Sequence, residues 1–588
     1  MPPAFVSPIR FNLFVAVVVL LFGGISARLF YLHVVNRENA LQTIEKHRTS
    51  FVVQKGRRGE IVDAKGNVLA SSRSHWVLGL DPLRIDARDK SLVPQMASLL
   101  GIHVDALDER FDWGAMYSGR IRDDVKWRKI KDDVDDSTYQ AVMALGIKGV
   151  YGYEQSERYY PAGGLASHVI GFVNKEGTPV MGVERTLDFY LRDTSGWRIG
   201  EINGTRREIR QLRSRDYPGQ DGFTVELTID INVQRIVEEE LDMIWDSHQP
   251  ESATVIVSNP HTGAILAMAN RPGFDPNAFW KYDLDKDLRN RAISDVYEPG
   301  STFKILAASA FVNERLGDRH TRFDCSITRF PWRNRMITLP TDDKRWEELE
   351  LREVLIKSSN RGAALAGLSL GERRLFDYCR AFGFGSRTGI ELSGEEPGLL
   401  RELKDWDTYT ASRVSIGYGI GVTPLQIHNA MCVIANGGTR VTPWIVRKVA
   451  DVEGRSVIEF GKDHRERIIS EYAAREIREC LNEVVSDEGT GRRAILEGVS
   501  AGGKTGTSRK LIDGEYDTRR HLASFSGFFP GDNPELVVTV MVNDPRNTPS
   551  TYGGRVAAPA FRNVAQKVAA YYGIRTPTPN NAVFASHP

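Results

Sequence analysis

The longest apolar run lies at the N-terminus. Residues 11–27 carry no charge, and after Arg28 the stretch Leu29-Phe30-Tyr31-Leu32-His33-Val34-Val35 continues it. That length predicts one membrane-spanning helix, with Arg28 able to snorkel and Tyr31 near an interface. A cleaved signal peptide is the rival reading, because Gly24-Ile25-Ser26-Ala27 offers small residues. The run is long for one, and a retained anchor is favoured. Arg10 stands before the run, while Arg28, Arg37, Lys46 and Arg48 follow it, so flanking charge does not orient the span.

From about 36 to 220 the pattern changes to short alternating stretches such as Trp76-Val77-Leu78-Gly79-Leu80, separated by turns such as Ala64-Lys65-Gly66-Asn67. His168 in this half reads as a structural histidine, and no nucleophile, base and oxyanion site assemble there. Past Gln220 an alternating strand at 224–230 leads into a helix over 231–247. The strands at 254–258 and 264–269 flank the turn Asn259-Pro260-His261-Thr262-Gly263 and predict a hairpin. Glu298-Pro299-Gly300-Ser301-Thr302-Phe303-Lys304 opens a buried helix over 305–312. Helices follow at 349–357 and 361–368, and Ser415–Pro424 reads as a glycine-rich loop entering a helix, where packing is the safer reading than a phosphate loop. Strands at 501–507, 523–530 and 536–542 and a helix at 557–571 close the pattern. The polar, proline-rich residues 576–588 are expected to be mobile. A helix, an antiparallel sheet and a buried helix predict an α+β architecture of an antiparallel sheet flanked by helices.

At 588 residues the chain has material for two or more domains. Lys+Arg 77 against Asp+Glu 76 leaves a net charge of +1, which gives no support for a nucleic-acid partner. Cys325, Cys379, Cys432 and Cys480 form no C-x-x-C pair, so no metal site is indicated and no cofactor is expected. Buried free thiols are favoured, with one disulfide left open.

Candidate chemistry starts at Ser301. Residues three apart on a helix share a face, so the Lys304 amine can lie over the Ser301 hydroxyl and act as its base once neutral. Burial or a second cation makes a lysine neutral near pH 7, and the helix N-terminus favours the developing alkoxide. S-x-x-K alone is a weak signal, expected by chance about once in a chain this long. Two further motifs follow in order, Ser358-Ser359-Asn360 and Lys504-Thr505-Gly506. Ser358 can relay a proton between Lys304 and a leaving amine. Asn360 can orient Lys304 and hold a substrate amide. Ser359 reads as a spacer. Lys504 supplies the second cation and attracts a carboxylate, and Gly506 lets a substrate backbone lie along the strand edge. Thr505 is as well explained by the strand as by a substrate contact. The Ser301 and Thr507 N–H groups would form the oxyanion hole, with the Thr507 hydroxyl on the carboxylate.

The ordered set of S-x-x-K, S-D-N-type and K-T-G motifs is the signature of serine β-lactamases and penicillin-binding proteins. With Arg58-Gly59-x-Ile61 and Asp63, Tyr160-Pro161…His168…Gly171, Gly182-Val183-Glu184, Thr228-Ile229-Asp230, Ala267-Met268 and Tyr552-Gly553-Gly554, the chain resembles a class B penicillin-binding protein over nearly its whole length. Ala27-Arg28-Leu29-x-Tyr31-Leu32 and Gly171-Phe172-Val173-Asn174 favour the division-type, septal members. Asp193, where a glycine is usual, and Ala64-Lys65, in place of a more usual Arg-Asn, depart from the pattern. The resemblance implies a cytoplasmic tail at 1–10, an inner-membrane anchor at 11–35, a periplasmic pedestal of the dimerisation type at 36–220 and a penicillin-binding/β-lactamase-like transpeptidase domain at 221–575. It implies a D,D-transpeptidase acting on the D-Ala-D-Ala of peptidoglycan stem peptides through a serine acyl-enzyme, inhibited by β-lactams. Its partners would be the membrane, a polytopic SEDS-type glycosyltransferase and other division proteins. The alternatives are an elongation-type transpeptidase, a D,D-carboxypeptidase or β-lactamase-like hydrolase, and a membrane-anchored scaffold. A glycosyltransferase activity finds no paired carboxylates before Gln220.

Overall fold

The computed structural model describes residues 7–111, 113, 127–202, 208–461, 465–512 and 514–575. The tail 576–588 and the first six residues of the expected cytoplasmic tail lie outside them. The chain divides into two compact units, one of the residues up to Arg57 with Asp193–Gly222 and one of Arg58–Arg192 with Phe223 onward.

In the first unit, α1 (Pro8–Phe30) starts with a proline at its first turn, where no backbone donor is lost, and runs on through Tyr31–Val35. Pro8–Val35 has a mean hydropathy of 2.4 over its most apolar window and is long and apolar enough to cross a membrane. A small antiparallel sheet pairs Thr49–Gln54 with Gly196–Ile202, which also pairs with Glu208–Ile209 and Arg215–Tyr217.

Among the described residues the second unit holds two large sheets and three two-stranded ones. Seven strands in one bring the early and late parts of the chain together. Ile61–Val62 lies between Val68–Leu80, antiparallel, and Thr224–Leu227, parallel, and Thr224–Leu227 in turn pairs with Val446–Ala450. Residues 58–192 therefore share a sheet and a core with the later chain, including Ile61, Leu69, Ile229, Met268 and Ile445. Asp63 reinforces the join, since its carboxylate accepts from Lys65 N, Asn67 N and, at 3.1 Å, Ile231 N. The Lys65 ammonium, one of the departures noted above, sits 3.1 Å from Asp230. Nearby, the fully buried Glu184 accepts from Arg58 at 2.7 Å and Arg158 at 2.6 Å, and Arg58 also reaches Asp188 at 2.5 Å. A buried carboxylate is tolerable only with such partners. The Arg-Gly and Gly-Val-Glu motifs meet here as structure. His168 is likewise structural, buried with Nε2 2.8 Å from Asp287 O, and burial pushes it down to about 4.

The second sheet carries the site. Helix α2 (Ile231–His248) is capped by Asp230, whose side chain accepts from Asn232 N. Strands β1 (Ser252–Ser258) and β2 (Ile265–Arg271) form the expected hairpin. Helices α3 (Lys304–Asn313), α4 (Asn360–Leu370) and α5 (Pro424–Ala435) follow, then β3 (Gly502–Ile512), β4 (Glu515–Phe529), β5 (Leu536–Asn543) and α6 (Gly553–Tyr572). The strand order is β2-β1-β5-β4-β3, all antiparallel, with β3 at an edge. Strand periodicity splits the core: Phe528 and Val537 face the cluster around α3, α4 and α5, while Phe525, Phe529, Val538 and Val540 face α2 and α6. α3 is apolar all round, and its residues 304–312 are buried, as a core helix requires. Phe303, Ile305, Leu306 and Phe311 are each at most 3% exposed, and each contributes about 1.5–3 kcal/mol by leaving water. The position of the α3 N-terminus is thus set by packing.

Candidate active site

Ser301 lies in the short 3₁₀ turn Gly300–Phe303 that feeds α3. Gly300 adopts φ +57° and donates its N–H to Gly417 O at 3.1 Å. A side chain on Gly417 would lie 2.2 Å from Gly300 O, so the glycine-rich loop packs directly against the Ser301 turn. On the other side, a Cβ on Gly300 would sit 3.0 Å from Thr507 O, which brings Ser301 beside β3. The Thr302 hydroxyl closes the turn by donating to Pro299 O at 3.0 Å.

Three side chains then meet. Lys304 Nζ donates to Ser358 O at 2.5 Å and to Ser358 Oγ at 3.3 Å, and Lys504 Nζ donates to the same Oγ at 3.0 Å. Both lysines are buried, at 1% and 0% exposed. Burial pushes Lys304 down to about 7, against the raising pull of Asp342 and Asp343. Lys504 is pushed well below its ordinary value by burial and then by the charge of Lys304. Two ammonium groups joined through one hydroxyl, away from water, hold a single proton more stably than two. Ser358 has φ +58°, a left-handed conformation costing about 1–3 kcal/mol for a residue with a side chain. It aims both the carbonyl and the hydroxyl at Lys304.

Asp342, which the motif pattern does not flag, holds Ser358-Ser359-Asn360 in place. Its carboxylate accepts from the N–H groups of Asn360 and Arg361, the latter at 3.2 Å, and from the Ser359 hydroxyl at 2.7 Å. Ser359 is more than a spacer: it caps α4 by accepting from Gly362 N at 3.1 Å. Asn360 Nδ2 donates to Thr341 O at 2.7 Å, and Lys304 is held by Ser358 instead, with no Asn360–Lys304 hydrogen bond among the described residues. Asp342→Asn keeps the shape, weakens the cap by about 1 kcal/mol and removes a charge that favours the Lys304 ammonium. We expect a lower thermal midpoint and an acid limb of serine acylation shifted to lower pH, both readable from melting curves and labelling rates across pH.

Along β3, Thr505 and Thr507 face the cleft that also opens on Ser301, Ser358 and Asn360, a space of about 1190 Å³. Thr505 Oγ1 donates to Thr490 Oγ1 at 3.1 Å, and Thr507 Oγ1 accepts from Gly553 N at 3.0 Å, leaving its own proton free to donate. Gly506 faces the other way. A Cβ there would lie 2.3 Å from Ser524 Oγ and 2.8 Å from Thr302 Cγ2, so glycine is needed for the approach of the Ser301 turn to the sheet. As an edge strand β3 pairs with a strand, β4, on one side only. Tyr418 and Tyr516 line the cleft, and Glu298 ties that side together by accepting from Gly419 N at 2.7 Å and from the Tyr516 hydroxyl at 2.9 Å. Sequence spacing carries no signal for these contacts. The four cysteines are all free, Cys325, Cys379 and Cys480 buried and Cys432 partly so.

Residues 253–566 match the penicillin-binding protein transpeptidase domain, and residues 53–227 the penicillin-binding protein dimerisation domain. Stage V sporulation protein D of Bacillus subtilis strain 168 is 33% identical over 573 residues, 95% of this chain and 85% of its own length. The peptidoglycan D,D-transpeptidase FtsI of Escherichia coli K12 is 29% identical over 557 residues, 94% of this chain and 90% of its own. Among solved structures, penicillin-binding protein 3 of Mycobacterium tuberculosis complexed with aztreonam is similar with a TM-score of 0.68 at 26% identity, over 90% of this chain and 99% of that one. With a dimerisation domain preceding a transpeptidase domain, and with Ser301, Lys304, Ser358 and Lys504 gathered at one cleft, the chain belongs to the class B penicillin-binding proteins.

Proposed function

We propose that the chain cross-links peptidoglycan stem peptides at the division septum, as a D,D-transpeptidase with Ser301 as nucleophile. The observation that carries this is the Ser358 hydroxyl shared by Lys304 and Lys504 beside the turn of Ser301. Ser301 Oγ attacks the carbonyl carbon between the two D-Ala residues and gives its proton to neutral Lys304. The Ser301 and Thr507 N–H groups receive the oxyanion. Collapse breaks the amide, and Lys304 returns the proton through Ser358 to the departing D-Ala amine. An amine of a second stem then attacks the ester, loses a proton by the same relay and frees Ser301. A substrate carboxylate entering beside Lys504 and Thr507 favours the charge on Lys504, which leaves Lys304 as the neutral member of the pair. Asn360, Thr505 and Gly506 line the donor path, Asn360 as a contact for the substrate amide.

The domain limits that fit this reading are a tail at 1–10, an anchor at 11–35, a pedestal at 36–220 and a catalytic domain at 221–575, with the anchor in the inner membrane and the catalytic domain in the periplasm. A polytopic SEDS-type glycosyltransferase would supply the glycan strands. The reading is tested by incubating the full-length protein with a D-Ala-D-Ala donor and an acceptor amine, and by depleting it in cells. Cross-linked product and filaments with blocked septa are expected. Free hydrolysed donor as the sole product would mean a carboxypeptidase, and rounded cells an elongation-type enzyme.

A further inference from the structure

Helix α6 (Gly553–Tyr572) joins two places that the sequence keeps far apart. Its start is a wall of the cleft, where Tyr552, Gly554 and Arg555 line the same space as Ser301 and Thr507. A Cβ on Gly553 would lie 2.1 Å from Gly506 O and 2.4 Å from Ser524 O, so the helix start sits on β3 and β4 without slack. The Gly553 N–H donates to Thr507 Oγ1 at 3.0 Å, which fixes the hydroxyl as an acceptor there and leaves its proton for the cleft. At the other end of the helix, about 30 Å along its axis, Lys65 donates to the Tyr571 hydroxyl, stands 4.4 Å over the Tyr571 ring and pairs with Asp230 at 3.1 Å. The same hydroxyl accepts from Asn232 Nδ2 at 3.0 Å and donates to Asp230 at 3.1 Å, which uses its one proton and both lone pairs. Tyr572 donates to Asp230 as well, at 3.2 Å. Asp230 also caps α2, and Asp63, in the turn of Lys65, accepts from Ile231 N. One early turn therefore grips the start of α2 and the end of α6.

Packing and end contacts constrain α6 in different ways. Phe561, buried with its ring 4.7 Å from Phe525 and 6.5 Å from Phe529, holds the body of the helix to the sheet. Pro559 lies between that body and the first turn and offers no N–H to Arg555 O, which makes this the softest point of the helix. The angle at which the first turn meets β3 then depends on where the body sits along its axis, and the hydrogen bonds at the far end fix that. We propose that Lys65, Asp230 and Tyr571 are positioning residues, which clamp the end of α6 and, through Gly553, hold the Thr507 hydroxyl in place for the substrate carboxylate. The clamp rests on the transpeptidase reading and deepens it, because the carboxylate contact of Thr507 belongs to that reading. It can pass to the cleft no more than its own free energy. For a partly exposed ion pair with its hydroxyl bonds, that is an effect of about three- to tenfold.

The test follows D-Ala release from a synthetic stem donor by the full-length protein in detergent. Lys65→Ala and Tyr571→Phe should each raise KM by about three- to tenfold with kcat nearly unchanged, the pattern of a weakened binding contact. Lys65→Arg should restore most of the loss. Thr507→Val, which keeps the shape of the side chain and drops the hydroxyl, gives the deciding comparison. In that background Lys65→Ala should raise KM no further, because the group it positions is gone, whereas a merely structural contact would add its full effect. An unchanged KM in both single variants, a loss confined to kcat, or a full further rise in KM on top of Thr507→Val would overturn the clamp alone. No release of D-Ala by the unaltered protein would overturn the transpeptidase reading and the clamp with it.

Discussion

A Ser301→Ala protein should take no covalent label from a fluorescent penicillin, and its release of D-Ala from a stem donor should fall by at least about 10⁴-fold. The size follows from the chemistry. With no hydroxyl there is no acyl-enzyme, and the oxyanion donors and the lysine pair have nothing to act upon. The fold should survive the change, because Ser301 lies on the cleft in a turn held by Thr302, Gly300 and Gly417. A melting curve like that of the parent, with peptide mapping of the adduct in the parent to Ser301, completes the measurement. An adduct on any other residue, or labelling that persists in the variant, would falsify the assignment of the nucleophile. In cells, normal septation by a correctly localised Ser301→Ala protein would instead mark the chain as a scaffold.

Lys304 should produce the second large effect, read through pH. The neutral amine accepts the proton of Ser301 and the ammonium cannot, so activity follows the neutral fraction. With Lys304 held down to about 7, acylation by a penicillin should be level above that pH and fall about tenfold per unit below it. Lys304→Ala should lower the rate by about 10²–10⁴-fold and abolish the acid limb. Lys504 bears on the rate and not on the limb. Burial is what holds Lys304 down, so in Lys504→Ala the limb should stay near pH 7 while the level rate above it falls through the lost carboxylate contact. A limb that stays near pH 7 in Lys304→Ala would assign the titration to another group.

Spacing and periodicity carried a large part of this site. Motif order named Ser301, Lys304, Ser358, Asn360 and Lys504-Thr505-Gly506-Thr507, and strand alternation located the hairpin of β1 and β2 and the run of β4 and β5, because apolar period and turn residues are local properties of the chain. The anchor was legible for the same reason, as a length of apolar residues. Contacts between distant segments were not. Asp342 lies far from Ser359 in sequence and holds it only because the loop before α4 folds back over the helix N-terminus, and no residue pattern announces that return. Ser359 then caps α4, and Gly506 serves the packing of Thr302 and Ser524; each depends on which side of its element faces which neighbour. The lowered basicity of Lys304 likewise comes from its burial, and desolvation is a property of the folded interior. The joint sheet of Ile61–Val62 with Thr224–Leu227 has the same origin. Local pattern told which residues could do the chemistry, and long-range packing set their charges, their partners and the shape of the cleft.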